Sequence, residues 1–186
     1  MDQRCVQDVG IEADDSHLVQ EGHRDVGVAQ GIQVLLGVGI ALHVAVGEPG
    51  PIATADWVKA QLAGANQHFE LLDTEFRIVS VDALAAGHLR VEDRQERDSF
   101  AKLATGRVIH VFVTGRLDDV DIPGNEIYGV AWRSSSNVKL IILSTQAWER
   151  TLAHELGHVF GLPHSTYPLS LMNKPDRQDP PPAQRT

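Results

Sequence analysis

Three histidines and a glutamate fall within one run of eleven residues, His154-Glu155-Leu156-Gly157-His158-Val159-Phe160-Gly161-Leu162-Pro163-His164. His154 and His158 stand four apart, and on a helix that spacing puts both imidazoles on one face. Two nitrogens aimed at one point make part of a metal site. Zinc takes nitrogen ligands at about 2.0–2.1 Å and, where it does chemistry, keeps three protein ligands and one open position. His164 can be the third ligand, but not on a continued helix, which would carry it roughly 80° around the axis from His154 and about 15 Å along it. Gly161 can adopt φ > 0 and stop the helix, so that Leu162-Pro163 swings His164 back. Glu155 points beside such a metal rather than at it, which suits a general base for a metal-activated water. The five-residue His-Glu-x-x-His pattern arises often by chance. The eleven-residue form also specifies a glycine and a third histidine, and here it lies on an expected helix after an apolar strand.

These residues need a scaffold, and the pattern upstream supplies one. Ile40–Val46 reads as a strand, ended by the turn Gly47-Glu48-Pro49-Gly50-Pro51. An amphipathic helix follows, with Val58, Leu62, Ala65, Phe69 and Leu72 three or four apart and Thr54 as its cap. Phe76–Val81 is a second strand, and residues 88–100 read as a charged, solvated connection. Val108–Val113 is a β-branched run expected in the centre of a sheet. Tyr128–Trp132 and Val138–Leu143 read as two more strands, joined by Arg133-Ser134-Ser135-Ser136-Asn137. The active helix is expected from about Ala147 to Phe160, capped by Ser144 or Thr145. The order implies an α/β (α+β) fold, a mixed sheet with one helix carrying the chemistry.

Composition narrows the function classes. The chain has 186 residues and a net charge of −9, which disfavours a polyanionic partner such as nucleic acid. The longest apolar stretch, Ile32–Val46, is too short to span a bilayer. Cys5 is the single cysteine, so no disulfide forms within the chain. The acidic loop from Leu117 to Asn125 gathers Asp118, Asp119 and Asp121, with Asn125 and Glu126 beside Gly124. Oxygen ligands of this kind can hold Ca2+, but the spacing matches no calcium loop, and a solvated acidic loop is the expectation. His17, His23, His43, His68, His88 and His110 lack paired spacing and are assigned no metal; His110 alternates within an apolar strand and reads as a hydrogen-bonded core residue.

The run from Leu152 to Met172 resembles the metzincins, and within them most resembles the matrixins. Ser165 follows the third histidine as in that family, and Met172 stands where its methionine turn places a hydrophobic floor beneath the metal. The resemblance implies a mostly parallel five-stranded sheet with a backing helix, an active-site helix and a small C-terminal subdomain. It implies one catalytic Zn2+ on His154, His158 and His164, with Glu155 as the base of an endopeptidase. The substrate would pair with an edge strand matching Gly129, Val130 and Ala131, and Asn173, Lys174 and Pro175 would line the pocket wall. Lys174 stands where some relatives have a tyrosine ligand, and no His/Asp set matches the family's second zinc. The family's C-terminal helix has no counterpart, since the chain runs into Asp179-Pro180-Pro181-Pro182; truncation is the expectation.

The expected organisation is therefore a polar extension or pro-segment over 1–30 and a zinc peptidase domain over 31–186. Arg4-Cys5 ahead of Asp8 is similar to the matrixin latch, whose thiolate occupies the open zinc position, although its proline and glycine are missing. The implied partner is a peptide or protein substrate, the implied state a monomer, and the implied location secreted or cell-envelope, with no signal sequence in this chain. The alternative from another class is a non-catalytic zinc-stabilised module that binds peptides along the edge strand.

Overall fold

The structure, a computed structural model, describes residues 36–173. Its centre is a five-stranded sheet in the order β2-β1-β4-β7-β6. The strands are β1 (Leu36–Ala45), β2 (Thr74–Leu84), β4 (Ile109–Thr114), β6 (Gly129–Arg133) and β7 (Lys139–Ser144). All neighbours pair in parallel except β6, which runs antiparallel to β7 and forms one edge. A two-stranded ribbon, β3 (Arg90–Val91) with β5 (Arg116–Leu117), lies apart from it.

The central strands are apolar on both faces, and both faces are covered. On one side Val111, Val113, Ile141 and Leu143 pack against α1 (Ala55–Phe69) and α3 (Thr151–Val159). On the other, Phe112, Leu140 and Ile142 pack under a small upper layer built around Phe100, Val91 and Leu117. That layer corrects the reading of 88–100 as a solvated connection. It contains β3 and the six-residue helix α2 (Arg94–Ser99), capped by Asp93 and followed by Phe100, which is fully buried against Phe112 with ring centroids 4.5 Å apart. Arg97 is also buried; it donates to the Asp118 carbonyl at 2.6 Å and lies over the Trp132 ring. The helix segment itself has no apolar period, so only its tertiary partners reveal it.

β1 begins four residues before the expected Ile40, β2 runs over Thr74–Leu84 rather than Phe76–Val81, and each long helix has one displaced end. α1 is capped by Thr54, whose Oγ1 accepts from Trp57 N, but it ends at Phe69. Leu72 falls in a 3-10 turn and is 67% exposed rather than part of the buried stripe. α3 begins at Thr151 and not near Ala147, because Ser144 is held in β7 opposite Thr114 and residues 145–150 turn back before the helix starts. No side chain at its N-cap Arg150 caps it. Gln61 of α1 does so instead. Its Oε1 accepts from Leu152 N at 3.1 Å while its Nε2 donates to the Ala147 and Trp148 carbonyls. The helix that carries the motif is thus anchored to the backing helix.

His110 is a hydrogen-bonded core residue, and His43 joins it. The Thr105 carbonyl can only accept, so His110 Nε2 donates to it at 2.8 Å. His110 Nδ1 then accepts from His43 Nε2 at 3.0 Å, and His43 Nδ1 faces Asp82 at 3.7 Å. Burial lowers the His43 pKa below the ordinary 6.5 and His110 adds to this, while Asp82 opposes both. The folded protein therefore binds this proton less readily than the unfolded chain, so stability falls as pH drops below about 6.5. Urea unfolding of metal-free protein at about pH 7.5 and about pH 5.5 measures the decline. It is expected to shrink in His43→Leu, and an unchanged decline there would assign the effect elsewhere.

Candidate active site

The eleven-residue run folds as its spacing demands. α3 carries His154, Glu155 and His158 on one side, and Gly161 ends it with φ +94°. The Gly161 N–H bonds to the His158 carbonyl at 3.0 Å and the Leu162 N–H to the Gly157 carbonyl at 2.9 Å, which is a Schellman turn. That turn returns His164 to the helix. The Nε2 atoms of His158 and His154 lie 3.2 Å apart, and those of His158 and His164 3.1 Å.

Tautomers follow from the partners of the other ring nitrogens. His154 Nδ1 donates to the Leu171 carbonyl at 2.6 Å and His158 Nδ1 to the Leu162 carbonyl at 2.7 Å. In neutral rings this leaves lone pairs on both Nε2 atoms, and those atoms face each other. Lone pairs at that distance repel unless a cation sits among them. Tetrahedral zinc with bonds of about 2.0–2.1 Å separates its ligand nitrogens by about 3.3–3.4 Å. The three histidines fit such an ion, and they are the only group of metal-ligand type that converges among the described residues.

Met172 is buried and packs on Gly157, where an added Cβ would lie 2.5 Å from its Sδ. The methionine turn therefore requires the glycine inside the motif, a dependence the sequence reading missed. The turn is tied back to the third histidine: Ser165 N donates to the Met172 carbonyl at 2.9 Å. Asn173, expected on the pocket wall, is buried and donates its Nδ2 to the Tyr167 carbonyl at 3.1 Å, bracing the turn. Lys174, Pro175 and Cys5 lie outside the described residues.

Glu155 is buried, and its Oε2 accepts from the Ala131 N–H of β6 at 2.7 Å. This bond joins the candidate base to the sheet edge. Ladder bonds at Ser144 N to Tyr128 O and Ser134 N to Val138 O turn the even-numbered residues of β6 toward β7. Gly129, Ala131 and Arg133 consequently turn their N–H and C=O groups outward. Val130, expected to contact substrate with its neighbours, has its backbone turned to Ile142. Gly129 also makes room for the carboxylate, since an added Cβ would come within 2.8 Å of Thr151 Cγ2, 2.9 Å of Leu143 Cδ2 and 3.2 Å of Glu155 Cγ. Gly129→Ala is expected to cost about 1–3 kcal/mol, the usual range for overpacking, and to displace Glu155. Thermal unfolding together with activity tests this, and wild-type values for both would show that the site relaxes freely.

The acidic loop does not gather its carboxylates on a vacant centre. Asp118 accepts from Arg116 at 2.6 Å and Arg90 at 2.9 Å, and these bonds hold its pKa below the usual carboxylate value. Asp121 pairs with Arg94 and Glu126 with Arg116. Residues 121–126 are exposed, so the loop is solvated as expected, with carboxylates paired to arginines and none gathered into a metal-ligand group among the described residues.

No family model matches the chain, and no curated protein sequence does. Solved structures do. Archaemetzincin from Methanopyrus kandleri is 16% identical with a TM-score of 0.51, over 75% of this chain and 82% of that one. Mature mirolysin from Tannerella forsythia, in complex with a cleaved peptide, is 13% identical with a TM-score of 0.52, over 70% of this chain and 64% of that one. A chain of a chaperone–substrate complex is 15% identical with a TM-score of 0.53, over 75% of this chain but 28% of that one. The fold is that of the metzincin-like metallopeptidases. No helix among the described residues is long and apolar enough to cross a membrane.

Proposed function

We propose that this chain is a zinc-dependent endopeptidase. The observation that carries the reading is the hydrogen bond from Ala131 N to Glu155 Oε2 beside the converging Nε2 atoms of His154, His158 and His164. It ties the carboxylate that directly follows the first histidine of the triad to an open strand edge. A zinc ion held by the three histidines supplies Lewis acidity that polarises a carbonyl and acidifies a water. The chain's own residues do the rest. Gly129 and Arg133 offer N–H and C=O groups, and Ala131 its C=O alone, to an extended peptide that lies antiparallel to β6. That pairing brings a peptide bond past Glu155. The Glu155 carboxylate takes the proton of the attacking water and delivers it to the departing amide nitrogen. The Ala131 N–H orients the carboxylate.

Mirolysin, which has this fold, was seen with a cleaved peptide, and that supports a peptide as the substrate here. Ser165 after the third histidine, and a methionine eight residues beyond that histidine, support placement near the matrixin branch. The test is digestion of an unfolded protein by the purified chain, with and without a chelator, followed by zinc readdition. Cleavage that the chelator stops and zinc restores supports the proposal. Zinc binding without cleavage of any peptide overturns it in favour of a peptide-binding module.

A further inference from the structure

Tyr128 and Trp148 are large aromatic residues left on the surface, 45% and 48% exposed. Their rings stack on each other, with centroids 5.9 Å apart and planes 26° from parallel. Both backbones are held firmly. The Tyr128 carbonyl accepts from Ser144 N at 2.9 Å, so this residue continues the β6 ladder. The Trp148 carbonyl accepts from Gln61 Nε2 at 2.7 Å and from Thr151 N at 2.8 Å. A stacked aromatic surface on a fixed backbone loses little freedom when a ligand covers it.

Its place on the strand indicates what covers it. A peptide antiparallel to β6 runs from beside Arg133 toward beside Tyr128. Glu155 meets the strand at Ala131, so the residues C-terminal to the reacting bond pass Gly129 and then Tyr128. Side chains alternate along β6: the Cβ direction of Gly129 leads toward Thr151 and Glu155, whereas Val130 and Trp132 pack in the upper cluster. Tyr128 stands just before β6, and its ring is placed by its stack on Trp148 rather than by this alternation, since Ile127 beside it packs in the upper cluster with Val130 and Trp132. A substrate residue directly opposite Tyr128 projects to the same face, with its Cβ about 4.5–5.5 Å away.

We propose that Tyr128 and Trp148 form a specificity platform for an aromatic or large apolar side chain, roughly three residues C-terminal to the cleaved bond. The proposal rests on the endopeptidase reading and deepens it by naming a feature of the substrate. Aromatic contacts of this kind are worth roughly a two- to ten-fold preference.

The experiment uses peptides that differ at one position only, carrying Phe or Ala at successive places on each side of the cleaved bond. Products are read by mass spectrometry for wild type, Tyr128→Thr (which keeps a strand-forming residue) and Trp148→Ala. The expected result is a Phe-to-Ala ratio in kcat/KM of roughly two to ten at one position C-terminal to the bond, falling toward one in both variants. A second measurement separates this proposal from the endopeptidase reading. Fluorescence anisotropy of the same labelled peptides on Glu155→Gln protein reads binding without cleavage. If no peptide is cut, the endopeptidase reading fails, and the anisotropy ratio still decides the platform. Equal affinity for Phe and Ala peptides, a preference that survives both substitutions, or a preference confined to the N-terminal side of the bond each overturns it.

Discussion

Glu155→Gln is expected to keep zinc and fold and to lower peptide hydrolysis by about 10²–10⁴-fold, the usual contribution of a general base. Glutamine preserves the shape of the side chain, and its amide oxygen can still accept from the Ala131 N–H, now at 2.7 Å from Glu155 Oε2. What it cannot do is take up the water's proton and return it to the leaving nitrogen. The variant thus isolates proton transfer from packing, which a change to alanine would not. Metal analysis, thermal unfolding and kcat/KM on one peptide are the measurements. A variant that holds zinc, melts with wild type and cleaves within a few-fold of it would remove Glu155 from the mechanism.

His158→Ala should abolish stoichiometric zinc binding. His158 stands at the centre of the triad, with its Nε2 within 3.2 Å of the Nε2 atoms of both His154 and His164. Losing only a hydrogen-bond partner of a ligand histidine typically costs about 10–100-fold in metal affinity, and losing the ligand itself should cost more. Elemental analysis is expected to show one zinc per wild-type chain and almost none in the variant. Stability should follow, because a ligand present at about a thousand times its Kd adds about 4 kcal/mol to the folded state. Wild type should therefore melt higher with zinc than after chelation, while the variant melts alike in both. Full zinc content in His158→Ala would place the metal elsewhere.

Much of the site could be read from the order of residues because its logic is local. The four-residue spacing of His154 and His158 depends only on helix geometry. Gly161 had to take a positive φ for His164 to return, and it does at +94°. The five strands were visible as apolar runs and α1 as a periodic stripe with a threonine cap. The errors fall where local signals compete with distant ones. The apolar spacing that predicted Leu72 in α1 lost to a 3-10 turn, and the cap expected at Ser144 or Thr145 lost to Gln61, a residue of another helix. Residues 88–100 looked solvated because α2 is short and charged, yet Phe100 closes the upper layer of the sheet.

The sequence alone marked out His154, His158, His164 and Glu155 as the candidate site, since residue type and helical spacing decide those. Only the tertiary structure decided how they are oriented. The carbonyls of Leu162 and Leu171 set the histidine tautomers, and the N–H of Ala131 holds the Glu155 carboxylate. Any residue offers such backbone groups, so no pattern of residue types announces them. Gly157 and Gly129 belong with these, because a glycine is required where another chain segment approaches too closely for a Cβ, and that approach exists only once Met172 and Glu155 have been folded against them.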